Sequence, residues 1–102
     1  MIHVVAVITA KAGMRDLILQ AFRANVPAVT AEQGCIEYSA AVDAEPALKF
    51  QTPYGSDTFL VIEKWASMEA LKAHAATPHM AAYAARTKDM IAGRLIHVLA
   101  PA

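Results

Sequence analysis

The sequence contains a single cysteine, Cys35, so no disulfide can form within one chain. This is typical of a protein from a reducing compartment, and we expect a cytoplasmic location.

Nine basic and nine acidic residues cancel, and no basic run is present. Neither nucleic acid nor an anionic membrane is therefore an expected partner. The apolar stretch at residues 1–10 lacks a basic flank and ends at Lys11, which makes it too short for a signal peptide or a membrane span.

Recognisable cofactor motifs are also missing. Only four glycines are present, and they form neither a glycine-rich phosphate loop nor a G-x-G-x-x-G pattern, so no NAD or flavin site is predicted. A metal centre built from His74, His79 and Glu63 or Glu69 is not expected. The two histidines are separated by four residues that include a proline, which matches no standard ligand spacing. We expect a protein without cofactor or metal.

The apolar content is high: 57% of the residues are hydrophobic and 18% are charged. Such a chain folds, and on a small domain the excess apolar surface often forms a partner interface. Periodicity predicts one domain over residues 1–102, with strands at 2–10, 35–42, 58–65 and 94–100, and helices at 14–33, 67–76 and 78–90. A polar loop at 43–57 carries a short extended piece at 48–50. Gly34 and Gly93 are predicted to end the first and last helices.

The order β-α-β-β-α-α-β predicts an α+β, ferredoxin-like fold, an antiparallel sheet with helices on one face. Strands one, three and four are apolar on both faces, yet helices can cover only one. We therefore expect the bare face to pack on a second copy, giving a homodimeric α/β barrel.

Four residues could carry chemistry. Trp65, the only tryptophan, ends the third strand on the helix-facing side and is either a core anchor or the wall of a pocket for a flat aromatic ligand. His79 and Tyr83 share one face of the last helix. His79 lies in the first turn, where the helix dipole favours a neutral imidazole that could accept a phenol proton; it could equally be a partly exposed polar residue. His74, on the preceding helix, points either to the same cavity or away from it.

Two segments resemble a known family. The first is Gly34-Cys35-Ile36-Glu37-Tyr38, and the second runs from Glu63-Lys64-Trp65-Ala66-Ser67 through Ala70-Leu71 and His74 to Thr77-Pro78-His79. They are similar to the antibiotic biosynthesis monooxygenase (ABM) domain family, and most of all to its YgiN-type quinol monooxygenases. The resemblance extends from Ile2 to about Leu99.

The resemblance implies a cofactor-independent monooxygenase that oxidises a quinol or an aromatic polyketide-like phenol with O2. It implies catalytic roles for His79, His74 and Trp65. Tyr83, Asn25 and Phe59 are candidate substrate contacts, although Asn25 could instead have a structural role beside Pro27. The asparagine used by haem-degrading relatives is absent from the first strand, which carries Val5-Ala6-Val7. Two alternatives stay open: an isomerase or lyase acting on a small carbonyl compound, and a non-catalytic dimer that binds an aromatic ligand.

Overall fold

The protein consists of one four-stranded antiparallel sheet and three helices, in a computed structural model that describes all 102 residues. The elements are β1 (Ile2–Ala10), α1 (Arg15–Thr30), β2 (Cys35–Ala41), β3 (Thr58–Trp65), α2 (Met68–Ala75), α3 (Pro78–Thr87), a 3₁₀ turn (Lys88–Met90) and β4 (Ile91–Leu99). The strand order across the sheet is β2-β3-β1-β4. The predicted α+β, ferredoxin-like fold is therefore confirmed.

The core lies between the sheet and the helices. Alternate residues of β1 (Val4, Ala6 and Ile8) are buried, because side chains of a strand point to opposite faces in turn. On β3 the same face carries Phe59, Val61, Glu63 and Trp65. These residues pack against the buried face of α1, which is formed by Ile18, Leu19, Phe22 and Val29.

The two short helices begin at the predicted caps. The Ser67 hydroxyl accepts a hydrogen bond from the backbone N–H of Ala70 at 3.1 Å, and the Thr77 hydroxyl accepts one from that of Met80 at 3.3 Å. Each cap satisfies a backbone donor that the first turn leaves without a helical partner. Pro78 follows Thr77 at the first helical position, where its missing N–H costs nothing. The Thr77-Pro78 break therefore separates α2 from α3.

Several predicted boundaries are wrong. The first helix ends at Thr30 rather than at 33, the second strand ends at Ala41 rather than at 42, and no strand forms at 48–50, where the chain makes a turn. Gly93 does not end the last helix. That helix tightens into the 3₁₀ turn after Thr87, and β4 already begins at Ile91 because its backbone pairs with β1.

Strand β4 extends beyond the cover of the helices. Its helix-side residues Ile96 and Val98 are 54% and 47% exposed, and Leu95 on the opposite side is 62% exposed. The face of the sheet away from the helices, here called the open face, carries the apolar residues Val5, Val7, Leu60, Ile62, Leu95 and Leu99. No helix in the chain combines the length and apolar character required to span a membrane.

Candidate functional site: a cavity between the sheet and the last helix

A cavity of about 410 Å³ lies between the sheet and α3. A pocket of this size is within the range that accommodates a small organic ligand. Its walls are mostly apolar, and its polar groups are few. The lining residues are Ala6, Ile8, Tyr38, Val61, Glu63, Met80, Tyr83, Ala84, Thr87, Lys88, Ile91, Arg94 and Ile96.

Glu63 is the only carboxylate in this lining. It is 8% exposed, because it lies on the helix-facing side of β3 between Val61 and Trp65. Burial raises the pKa of the Glu63 carboxyl, while the hydrogen bond from Trp65 and the neighbouring His74 act in the opposite direction. A carboxylate with a raised pKa inside a cavity is a stronger base than one in water, which is the property required of a general base.

Two tyrosines face the same cavity. Phe22 of α1 holds both of them: its ring stacks on Tyr38 at 5.0 Å and meets the edge of Tyr83 at 6.4 Å. Burial raises the pKa of Tyr38, and it raises the pKa of Tyr83 to about 12. Both phenols are therefore protonated at neutral pH and can donate hydrogen bonds to a ligand oxygen.

Two cationic side chains complete the polar part of the lining. Lys88 comes from the 3₁₀ turn and Arg94 from β4. Neither is among the ion pairs within 4.0 Å, so their charges are not neutralised by a neighbouring carboxylate. The cavity thus combines one buried base with cations that favour negative charge on a bound molecule.

Behind the cavity, His74 and His79 meet on one carboxylate. His74 Nδ1 lies 2.9 Å from Glu32 Oε2, and His79 Nε2 lies 2.8 Å from the same oxygen. His74 belongs to the last turn of α2 and His79 to the first turn of α3, so the break at Thr77-Pro78 directs both rings towards the end of α1. The two predicted histidines are brought together, but neither lines the cavity.

Trp65 also lies outside the cavity lining. Its side chain is fully buried, and its ring centroid is 4.6 Å from that of His74. The indole N–H donates a 2.9 Å hydrogen bond to Glu63 Oε1. No ligand ring can stack on the indole in this arrangement, because protein groups already cover it. Trp65 therefore does not form a wall of this cavity, but its indole N–H contacts the carboxylate that does face it.

The three predicted substrate contacts are separated by the fold. Tyr83 lines the cavity. Phe59 does not, because it is fully buried in the core with its ring 6.4 Å from that of Phe22. Asn25 does not line the cavity either. It lines a separate hollow of about 180 Å³, together with His79. Its side-chain amide donates a hydrogen bond to the sulfur of Met80 at 3.4 Å.

Five polar residues that line or support the cavity were not predicted as site residues: Glu63, Tyr38, Lys88, Arg94 and Glu32. The sequence does contain a signal for Glu63, since it is a charged residue on an otherwise apolar strand face. Glu32 has no such signal, because it lies 42 and 47 residues before its histidine partners. No group of three or more His, Cys, Asp and Glu side chains is arranged to hold a metal ion.

The fold and the cavity define a small α+β protein with an aromatic-lined internal site and a buried carboxylate. Residues 1–86 match the family model described as "Antibiotic biosynthesis monooxygenase". The "Probable quinol monooxygenase YgiN" of Escherichia coli is 36% identical over 103 aligned positions, covering 99% of this chain and 98% of that protein. The chain therefore belongs to the antibiotic biosynthesis monooxygenase family, which supports a monooxygenase-type, oxidoreductase function.

Solved structures agree with this assignment at the level of the fold. PA3566 from Pseudomonas aeruginosa superimposes with a TM-score of 0.82 at 26% identity, covering 99% of this chain and 93% of that one. Rv0793 from Mycobacterium tuberculosis gives a TM-score of 0.81 at 22% identity, covering 99% and 94%. The shared architecture extends over practically the whole chain.

Proposed function

We propose that this protein is a monooxygenase that oxidises a quinol or an electron-rich phenol with O2 in the cavity between the sheet and α3. The observation that carries the proposal is the position of Glu63. It is a buried carboxylate with a raised pKa, and it is the only acid in a lining that also holds two protonated tyrosines. The 36% identity to a protein described as a quinol monooxygenase supports the choice of substrate class.

Glu63 is the base in this proposal. A phenol must lose its proton before it can readily give an electron to O2, and a base must lie within hydrogen-bond reach of that proton. Glu63 lines the cavity, whereas His74 and His79 lie behind it. In this proposal Glu63, rather than a histidine, removes the proton from the substrate. Trp65 holds the Glu63 carboxylate in position through its indole N–H.

The substrate supplies the electrons. The phenolate passes one electron to O2, and the two radicals combine to form a carbon–oxygen bond, giving a peroxide anion at a ring carbon that carries two hydrogens in the keto form. This anion takes up one proton to become a hydroperoxide. Cleavage of the O–O bond then leaves a carbonyl and releases one water, so one oxygen atom is inserted and no external reductant is consumed. Lys88 and Arg94 favour the phenolate and the superoxide, because both are anions.

The proposed working unit is a homodimer. The open face is apolar at its centre, and Leu95 and Leu99 on β4 are 62% and 48% exposed. Exposed apolar side chains that adjoin across a sheet are typical of an interface. A second copy that packs open face against open face would cover them.

Oxygen consumption with reduced naphthoquinones, followed by mass spectrometry of product formed under ¹⁸O2, tests the activity. The wild-type protein is expected to incorporate one labelled atom per product molecule. Glu63→Gln should lower kcat by about a hundredfold or more, because loss of a general base typically costs that much. Glu69→Gln changes an exposed carboxylate on α2 and serves as the matched control.

Three results would contradict the proposal. Product formation without O2 would identify an isomerase or lyase. Tight binding of the quinol without turnover would identify a ligand-binding protein. Equal rates for wild-type and Glu63→Gln protein would show that the carboxylate is not the base.

A further inference from the structure

A line of acid–base groups connects the cavity with the protein surface. It begins at Glu63 in the cavity lining and continues to His74, whose Nε2 lies 3.9 Å from Glu63 Oε1. The other ring nitrogen of His74 is 2.9 Å from Glu32 Oε2, and that oxygen is 2.8 Å from His79 Nε2. The side chains of His74 and Glu32 are 5% and 12% exposed, whereas that of His79 is 29% exposed. The line therefore runs from buried to solvent-accessible groups.

This arrangement exceeds what helix packing requires. One hydrogen bond from each histidine would join α2 and α3 to α1, and any donor could supply it. Here every member is ionisable, and His74 uses one ring nitrogen towards Glu32 while the other faces Glu63. An imidazole that contacts an acid on each side can accept a proton at one nitrogen and release one from the other.

We propose that Glu63, His74, Glu32 and His79 form a relay that carries the substrate proton from the cavity to the solvent. The inference rests on the proposed function, because it takes Glu63 as the group that receives the proton. It assigns to the two histidines a task that needs no contact with the substrate.

The proton balance of the relay is simple. The substrate O–H bond breaks as an O–H bond forms on Glu63, which then passes its proton to His74 Nε2. The proton on His74 Nδ1 then moves to Glu32 Oε2, while the proton that Glu32 Oε2 shares with His79 Nε2 moves onto that nitrogen, and the Nδ1 proton of His79 goes to water. One proton leaves the substrate and one enters the solvent, and the peroxide anion formed afterwards takes one proton back, so the overall reaction releases none. Both imidazoles end as the opposite tautomer, and their return to the starting tautomer completes the cycle.

One step of the relay is longer than a hydrogen bond. The 3.9 Å between Glu63 Oε1 and His74 Nε2 must shorten by about 1 Å for direct transfer, or be bridged by a water. The other groups that face this step are the Tyr38 ring, 5.4 Å from the His74 ring centroid, and the Cys35 thiol, whose pKa is raised by burial and by Glu32 and Glu63. Both are neutral below their raised pKa values, so His74 and His79 are the only basic side chains in contact with the two carboxylates.

His79→Gln is the variant that separates a relay from a structural contact. The glutamine amide can still donate a hydrogen bond to Glu32, but it cannot take up and release a proton. We expect kcat for quinol oxidation to fall about tenfold, less than on loss of the base itself, and to recover when imidazole is added to the buffer. Lys72→Gln, which changes an exposed side chain on α2 outside the relay and away from the open face, is the control.

A second measurement needs no substrate. In the wild-type protein, the Nδ1 proton of His74 should exchange with solvent through Glu32 and His79, and NMR of the imidazole N–H signals measures that rate. His79→Gln should slow this exchange about tenfold if the relay exists. A contact that only holds the helices together would give unchanged or faster exchange, because its loss loosens the structure, and that result would overturn the relay. The exchange rate of the His74 Nδ1 proton tests the relay, and oxygen uptake by the wild-type protein tests the proposed function separately.

Discussion

Replacing Trp65 by phenylalanine tests the link between the buried indole and the cavity carboxylate. The substitution removes the 2.9 Å hydrogen bond to Glu63 Oε1, which is worth about 1.5–3 kcal/mol when the acceptor is charged. It also removes roughly a third of a fully buried side chain, whose complete truncation costs about 3–5 kcal/mol, so packing adds about 1 kcal/mol. While Glu63 is ionised, the free energy of unfolding should therefore fall by about 2.5–4 kcal/mol.

The cost of Trp65→Phe should depend on pH. The indole N–H favours the ionised form of Glu63 and lowers its pKa, so the variant holds the Glu63 proton up to a higher pH than the wild type does. At a pH above the Glu63 pKa of the variant, Glu63 is ionised in both proteins, and Trp65→Phe loses the full free energy of the charged hydrogen bond. Below that of the wild type both carboxyls are protonated, and the lost bond is a neutral one worth about 0.5–1.5 kcal/mol. Urea unfolding followed by circular dichroism should show a larger cost at about pH 8 than at about pH 4.

Phe59→Leu provides the matched control for this experiment. Phe59 is fully buried on the same face of β3 and has no polar partner, so its substitution should cost about 1–2 kcal/mol at every pH. If the cost of Trp65→Phe were as independent of pH as that of the control, the coupling between the indole and the carboxylate would be refuted.

Two further substitutions test the fold and the assembly. Gly34→Ala should lower the free energy of unfolding by about 2–3 kcal/mol in urea titrations, since φ is 84° and the new Cβ would lie 2.7 Å from Ala70 Cβ. Gly13→Ala, at φ 75° with nothing within 4 Å, should cost only about 1 kcal/mol, and equal costs would rule out the steric explanation. Leu95→Lys on the open face should shift sedimentation from dimer towards monomer, whereas Leu48→Lys, equally exposed in the long loop, should not. A wild-type monomer at micromolar concentration would contradict the proposed interface.

The fold could be predicted because its signals are local. The β-branched run of β1, the alternation of β3 and the caps Ser67 and Thr77 each depend on neighbouring residues, and all three appear in the structure as predicted. Boundaries failed where long-range pairing decided the outcome. Gly93 looks like a helix stop within its own segment, but its backbone pairs with Thr9 of β1 beside a register shift, and glycine is common at such irregularities.

The site was harder to predict because it depends on which residues meet across the fold. The spacing of His74 and His79 could not show that both turn towards Glu32, which lies at the end of a different helix. Trp65 and Glu63 share a strand face, which the alternation does reveal, but only the packed structure shows that the indole is covered and the carboxylate is not. Residue types indicated segments that pack around the cavity, and only the three-dimensional packing shows which of their side chains line it.

The contact between the rings of Trp65 and His74 has a spectroscopic consequence. The chain holds one tryptophan, so all indole emission comes from this one position. A protonated imidazole quenches indole fluorescence at short range, and the two ring centroids are 4.6 Å apart. The emission of this one indole therefore reports changes at the His74 ring, and no added dye is needed to follow them.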